Sequence, residues 1–127
     1  MSRNPEQLKF APTHEWAQLE EGPTVRVGIS DFAQSELGDI MFVNLPAVGA
    51  KVAAGQPIAS IESVKTASDL HSPINGQVSA INPDIQSQPE LINEAPYAAW
   101  LFSIQADDPA DLDALLDYAA YRQLHQL

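Results

Sequence analysis

The 127 residues carry 17 acidic against 6 basic side chains, for a formal net charge of −11, and contain no cysteine. That balance opposes binding to nucleic-acid backbones or anionic membranes, because an acidic surface gains nothing from counterion release there. The missing cysteine excludes disulfides, thiol nucleophiles and thiolate metal sites within the polypeptide. No apolar run approaches the roughly 18 residues a membrane span needs. The opening Met-Ser-Arg-Asn-Pro-Glu-Gln has neither an apolar signal core nor a basic amphipathic pattern, so the chain is expected to work, soluble, in the cytoplasm. Length and 45% hydrophobic content suit one domain over residues 1–127 with a modest core. The acidic surface suits transient docking on basic patches of partners, and it equally suits plain solubility.

Phe10 to Glu20 is strand-like and ends at the turn Glu21-Gly22-Pro23. Thr24 to Ile29 then alternates, with Val25, Val27 and Ile29 on one face, so the pair predicts an antiparallel hairpin. Ser30 is the N-cap of a short helix near 31–37, with Asp31 in its first turn and Gly38 as its stop. Phe32, Ala33 and Leu37 would face the sheet. A run of short strands follows: Ile40–Leu45, Lys51-Val52, Pro57–Val64, Thr66–Ser72 and Gln77–Ile81, separated by turn residues that include Asn75-Gly76. Val48–Val52 and Ile74–Val78 echo one another weakly about Lys65, which fits two packed sheets forming a flattened barrel. Asn82–Pro96, with three prolines, reads as a loop with room for one helical turn, and Trp100–Ile104 as a closing strand. Asp108 with Pro109 opens a C-terminal helix near 109–124 whose apolar stripe is Leu112, Leu115, Leu116, Ala119 and Ala120. Trp16 and Trp100 are assigned to the core. The expected class is mainly β.

Few constellations could carry catalysis. His14-Glu15 begins like a zinc-binding His-Glu-x-x-His, but positions 17 and 18 are Ala17 and Gln18. With three histidines and no cysteine, no metal site is assigned. No glycine loop has phosphate-binding spacing and no nucleophile elbow is present. What remains is Lys65, the only Lys or Arg between Lys51 and Arg122, placed at the tip of the hairpin Pro57–Ser72. On spacing alone it could be a solvent-facing residue that guards a sheet edge, or an isolated amine that a modifying enzyme finds by turn geometry. An ordinary lysine amine is a poor base or nucleophile at neutral pH, so any chemistry here is that of an anchor.

Glu62-Ser63-Val64-Lys65-Thr66-Ala67-Ser68-Asp69, followed by Ser72-Pro73-Ile74-Asn75-Gly76, resembles the lipoyl-attachment hairpin of the glycine cleavage system H-protein family. Thr13-His14-Glu15-Trp16, Val27 to Gln34, Leu37-Gly38-Asp39-Ile40, Leu45 to Gly49 and Pro89 to Glu94 resemble that family in the same order, so the likeness covers roughly residues 8 to 122. The resemblance implies a lipoyl/biotinyl-carrier-like barrel-sandwich hybrid with lipoate joined to Lys65 as N6-lipoyllysine. The arm would be roughly 14 Å long, from about ten bonds of covalent geometry. It also implies a non-catalytic carrier in glycine catabolism and one-carbon metabolism, passing the aminomethyl group of glycine between enzymes. Those enzymes are a pyridoxal-phosphate glycine decarboxylase, a folate-dependent aminomethyltransferase and a dihydrolipoyl dehydrogenase, with a lipoyl ligase or lipoyl transferase to load Lys65. A monomer is expected.

The loaded arm carries an ammonium, and the resemblance assigns the cleft that would receive it to Thr13, Glu15 and Asp69. For Glu15 and Asp69 the alternative is hydrogen bonding to backbone amides at strand ends. Phe32 replaces the tyrosine or histidine of many relatives, and Tyr97-Ala98-Ala99-Trp100 lacks their glycines. These departures bear on how the arm docks and leave the anchor intact. The competing readings are a lipoyl or other acyl-group carrier for a different complex, or an unmodified interaction module on the same fold. Biotin carriers have methionines beside the lysine where this chain has Val64 and Thr66.

Overall fold

The computed structural model describes residues 2–127. Among these residues nine strands form two antiparallel sheets that do not close into a barrel. The larger sheet orders β1 (Lys9–Phe10), β2 (Glu15–Leu19), β3 (Thr24–Ile29), β9 (Phe102–Ala106), β8 (Gly76–Ile81) and β5 (Lys51–Val52). The smaller orders β4 (Ile40–Asn44), β6 (Pro57–Ser63) and β7 (Ala67–His71). Val25, Val27, Ile29, Val78 and Ile104 from the larger sheet meet Ile40, Val43, Ile61 and Leu70 from the smaller in one buried cluster. The alternation read in β3 is what aims its side chains there. The two echoing segments pair directly, Lys51 opposite Gln77 and Val52 opposite Gly76.

The other face of the larger sheet buries Leu8, Phe10, Trp16 and Tyr121, with Trp100 packed beside them under the guanidinium of Arg26, 4.0 Å from the ring centroid. Both tryptophans are therefore structural. Gly28 pairs with Trp16 across the β2–β3 ladder, and any Cβ on Gly28 would overlap the indole.

Helix α1 (Asp31–Leu37) is capped as the sequence indicates: Ser30 Oγ accepts from the Ala33 N–H at 3.1 Å, and Gly38 stops the helix at φ +76°. Three other expectations change. The segment expected as a loop with room for one helical turn, 82–96, contains two short helices, α2 (Pro83–Ser87) under an Asn82 cap and α3 (Leu91–Glu94). The helix expected over 109–124 is two pieces, a 3-10 stretch Pro109–Ala114 and α4 (Tyr118–Leu124). Its helical run breaks because Leu116 exchanges backbone hydrogen bonds with Phe10, at 2.7 and 2.8 Å, as an added strand bridge beside β1. Asp117 then caps α4 anew through the Ala120 N–H. Finally, Trp100 precedes its strand, which begins at Phe102.

Candidate functional site

Lys65 stands exposed at the tip of the β6–β7 hairpin. Ser63 builds the turn: its Oγ accepts from the Lys65 and Thr66 N–H groups, each at 3.2 Å, and donates to the Thr66 carbonyl at 3.1 Å. The Val64 N–H donates to the Asp39 carbonyl at 3.0 Å, which ties the tip to the end of α1. The aliphatic stem of Lys65 lies across Gly38, where a Cβ would come 3.4 Å from Cε. The turn is thus held on both sides while the amine remains free.

Asn93 secures this junction from behind. Its Oδ1 accepts from the Ile40 N–H at 2.9 Å, and its Nδ2 donates to the Gly38 carbonyl at 2.8 Å and to Gln34 Oε1 at 3.1 Å. One half-buried amide therefore joins α3, the end of α1 and the start of β4. The block Pro89 to Glu94 singled out in the sequence contains Asn93 without revealing this role, because its partners lie more than 50 residues away.

A cleft of about 120 Å³ runs along α1 from the direction of the tip. Ile29, Phe32, Ala33, Leu37, Ile61 and Leu70 give it an apolar floor, and Thr13, His14, Glu36, Ser68 and Asp69 supply the polar rim. Of the residues singled out for a cleft, Thr13 and Asp69 line it and Glu15 does not. Glu15 is 1% exposed, and both of its oxygens are occupied. Oε1 accepts the Thr13 hydroxyl, while Oε2 accepts the His71 backbone N–H at 2.8 Å and faces His71 Nδ1 at 3.2 Å. Glu15 is thus taken up by one backbone amide and one side-chain hydroxyl, while Asp69 is exposed at the cleft rim.

Sequence reasoning missed His14 and Glu36 as cleft residues. His14 sits at φ +87°, and its Nδ1 lies 2.6 Å from the Tyr121 hydroxyl. Its ring lies between Phe32, at 5.3 Å, and His125 of the chain's last helical turn, at 4.4 Å. Burial, aided by the neighbouring His125, lowers its pKa from the ordinary histidine value, with Glu36 acting weakly in the opposite sense. Phe32 joins this group by ring packing, its centroid also 6.2 Å from that of His125. Tyr97 holds the other end of α1: its hydroxyl accepts from the Asp31 N–H at 3.2 Å, and burial raises its pKa to about 12. Among the described residues no cluster of three or more His, Cys, Asp or Glu could hold a metal, and no helix is long and apolar enough to cross a membrane.

The family sequence model described as Glycine cleavage H-protein matches residues 8–126. A glycine cleavage system H protein of Methylococcus capsulatus is 50% identical over 124 residues, covering 98% of each chain. One of Idiomarina loihiensis is 53% identical over 122 residues, covering 95% of each. A crystal structure of a glycine cleavage system H protein from Mycobacterium marinum superposes with a TM-score of 0.86 at 35% identity, covering 98% of this chain and all of that one.

Proposed function

This chain belongs to the glycine cleavage H-protein family, and from that membership we propose that Lys65 is its lipoyl anchor and the α1 cleft its arm shelter. The protein is a lipoyl carrier of the glycine cleavage system, a non-catalytic component that works with the system's enzymes. Lipoate, when attached, supplies the sulfur redox chemistry that a cysteine-free chain lacks.

The observation that carries the reading is continuity between tip and cleft. Lys65 lies over Gly38 at the end of α1, and the cleft is lined by α1 residues from Leu37 back to Phe32. Seven helical residues span roughly 10 Å, within an arm's length of roughly 14 Å. An exposed amine with no ion pair among the described residues and an apolar floor one helix-length away fit the group. Ile29, Phe32, Leu37 and Ile61 exclude water from that floor. Asp69 and Glu36 put negative charge at its rim, where an ammonium on the cargo would be matched. Thr13 adds a hydroxyl there, and Glu15 serves behind the wall by holding Thr13 and His71.

The partners assigned are a pyridoxal-phosphate glycine decarboxylase, a folate-dependent aminomethyltransferase and a dihydrolipoyl dehydrogenase, which place the chain in one-carbon metabolism. A lipoyl ligase or transferase loads it. The chain acts as one carrier domain over residues 1–127, monomeric and cytoplasmic. Intact mass and peptide mapping after expression in a lipoate-supplied host test the anchor. One lipoyl amide on Lys65 is expected, whereas modification of Lys9 or Lys51, biotin, or an unmodified chain alongside an active ligase would overturn it.

A further inference from the structure

The outer face of the three-stranded sheet is bare in an unusual way. Register places Phe42, Glu62 and Ala67 in one cross-strand row on the side away from the core. Phe42 is 59% exposed, and the row ends beside the hairpin tip where Val64 is 61% exposed. A bulge between Ile40 and Phe42 inserts Met41 as an extra residue, itself 50% exposed. Regular alternation after the buried Ile40 would send Met41 out and bring Phe42 inward. The bulge sends out two. Asp39 and Glu62 flank these apolar side chains, both exposed, and among the described residues the basic residue at the tip is Lys65 itself.

Resting on the reading of Lys65 as the lipoyl anchor, we propose that Met41, Phe42 and Val64 are the docking surface for the enzyme that attaches the lipoyl group. Their acidic surround fits an apolar recess edged by Lys or Arg on that enzyme. Exposed apolar groups beside a reactive residue mark interaction sites, and a few aromatic anchors carry most of such a contact's affinity. Reach selects this partner over the others. Attachment forms the amide bond from Lys65 Nζ to the carbonyl carbon of an ATP-activated lipoyl adenylate. The bond from that carbon to the phosphate oxygen breaks, AMP leaves with the electron pair, and the amine's proton goes to solvent. Nζ lies only about 6 Å from its own backbone, so an active site that receives it must press against the tip and the strands flanking it. Enzymes that act on the far end of a roughly 14 Å arm have no such requirement. Attachment also removes the lysine charge, leaving the patch purely acidic.

The test compares apo wild type with Phe42→Ser, with Met41→Ser/Phe42→Ser, and with Val48→Ser, a similarly exposed apolar position in the loop between β4 and β5. Lipoylation by a purified lipoate ligase with lipoate and ATP is followed by intact mass, and reduction by dihydrolipoyl dehydrogenase is then measured on chains driven to full lipoylation with excess ligase. Expected are a fall of ten-fold or more in kcat/KM for lipoylation of the β4 variants, carried by KM, an unchanged Val48 variant, unchanged thermal unfolding, and dehydrogenase rates within two-fold of wild type. Rising salt should slow wild-type lipoylation, as a charge-matched contact requires. Equal lipoylation of wild type and the β4 variants would overturn the proposal, and so would an equal loss in both assays. Failure of the wild type itself to accept lipoate would instead overturn the anchor reading.

Discussion

Glu15 and His71 are joined across the sandwich: one carboxylate oxygen of β2 takes the backbone N–H of His71 at 2.8 Å, and His71 Nδ1 stands 3.2 Å from the same oxygen. The bond fastens the smaller sheet's β7 to the larger sheet at the edge of the cleft. Glu15→Gln keeps the size but sets an amide that must choose between accepting from His71 and accepting from Thr13. With the group 1% exposed, the expected loss of stability is about 1–3 kcal/mol by denaturant unfolding. Lipoylation of Lys65 should proceed at the wild-type rate, since the turn is built by Ser63 and Asp39. A variant as stable as wild type would show the latch to be idle.

Lys65→Arg should abolish the lipoyl mass increment and all carrier turnover while moving the melting temperature by less than about 2 °C. The substituted side chain stays at an exposed tip and packs only along Gly38. A large drop in melting temperature would mean that the lysine is part of the scaffold.

Gly76→Ala is expected to destabilise at the upper end of about 1–3 kcal/mol. Its sequence partner Asn75 suggests a turn that needs positive φ, yet Gly76 is not among the residues in that region. The requirement is space: a Cβ would overlap the Gln105 carbonyl oxygen and the Ile104 side chain on the neighbouring β9. Backbone cannot swing aside as a long side chain can. Chemical denaturation of the variant checks this, and an unchanged midpoint would refute the close approach.

His14 makes stability depend on pH. Its native pKa is below the ordinary histidine value of 6.5 because of burial and His125. As pH falls below 6.5, the unfolded chain takes up the proton before the native one does, so stability declines through the window down to the lowered native value. Asparagine tolerates the positive φ found at this position. His14→Asn should therefore fold, and it should lose less melting temperature between pH 7 and pH 5 than wild type does. An identical drop in both proteins would assign the acid sensitivity to other groups.

Local chemistry made much of the fold legible. Alternation in Thr24–Ile29, the Ser30 cap and the isolated Lys65 each depend on neighbours within a few residues, and each is found in place. What stayed hidden depends on distant partners. The Leu116 bridge to Phe10 overrides a helical stripe that was itself well formed, because an unpaired strand edge offered two backbone hydrogen bonds. Glu15 and Asp69 look alike in sequence as short acidic signals. Only packing separates them, one sealed behind the sheets and the other at the rim. Asn93, His14 and Glu36 matter through contacts with segments that the fold brings together; the first two sit in blocks that resemble the family, but those blocks do not say which groups they touch.

The extra residue in β4 also has a bearing on how copies of this protein meet one another. β4 is an outermost strand, so its free backbone groups could template a strand from another molecule, and the apolar side chains beside it would reward the encounter. The insertion at Met41 breaks the even spacing that an incoming strand would have to match. A surface left sticky for an enzyme is thereby a poor template for a strand arriving at the β4 edge.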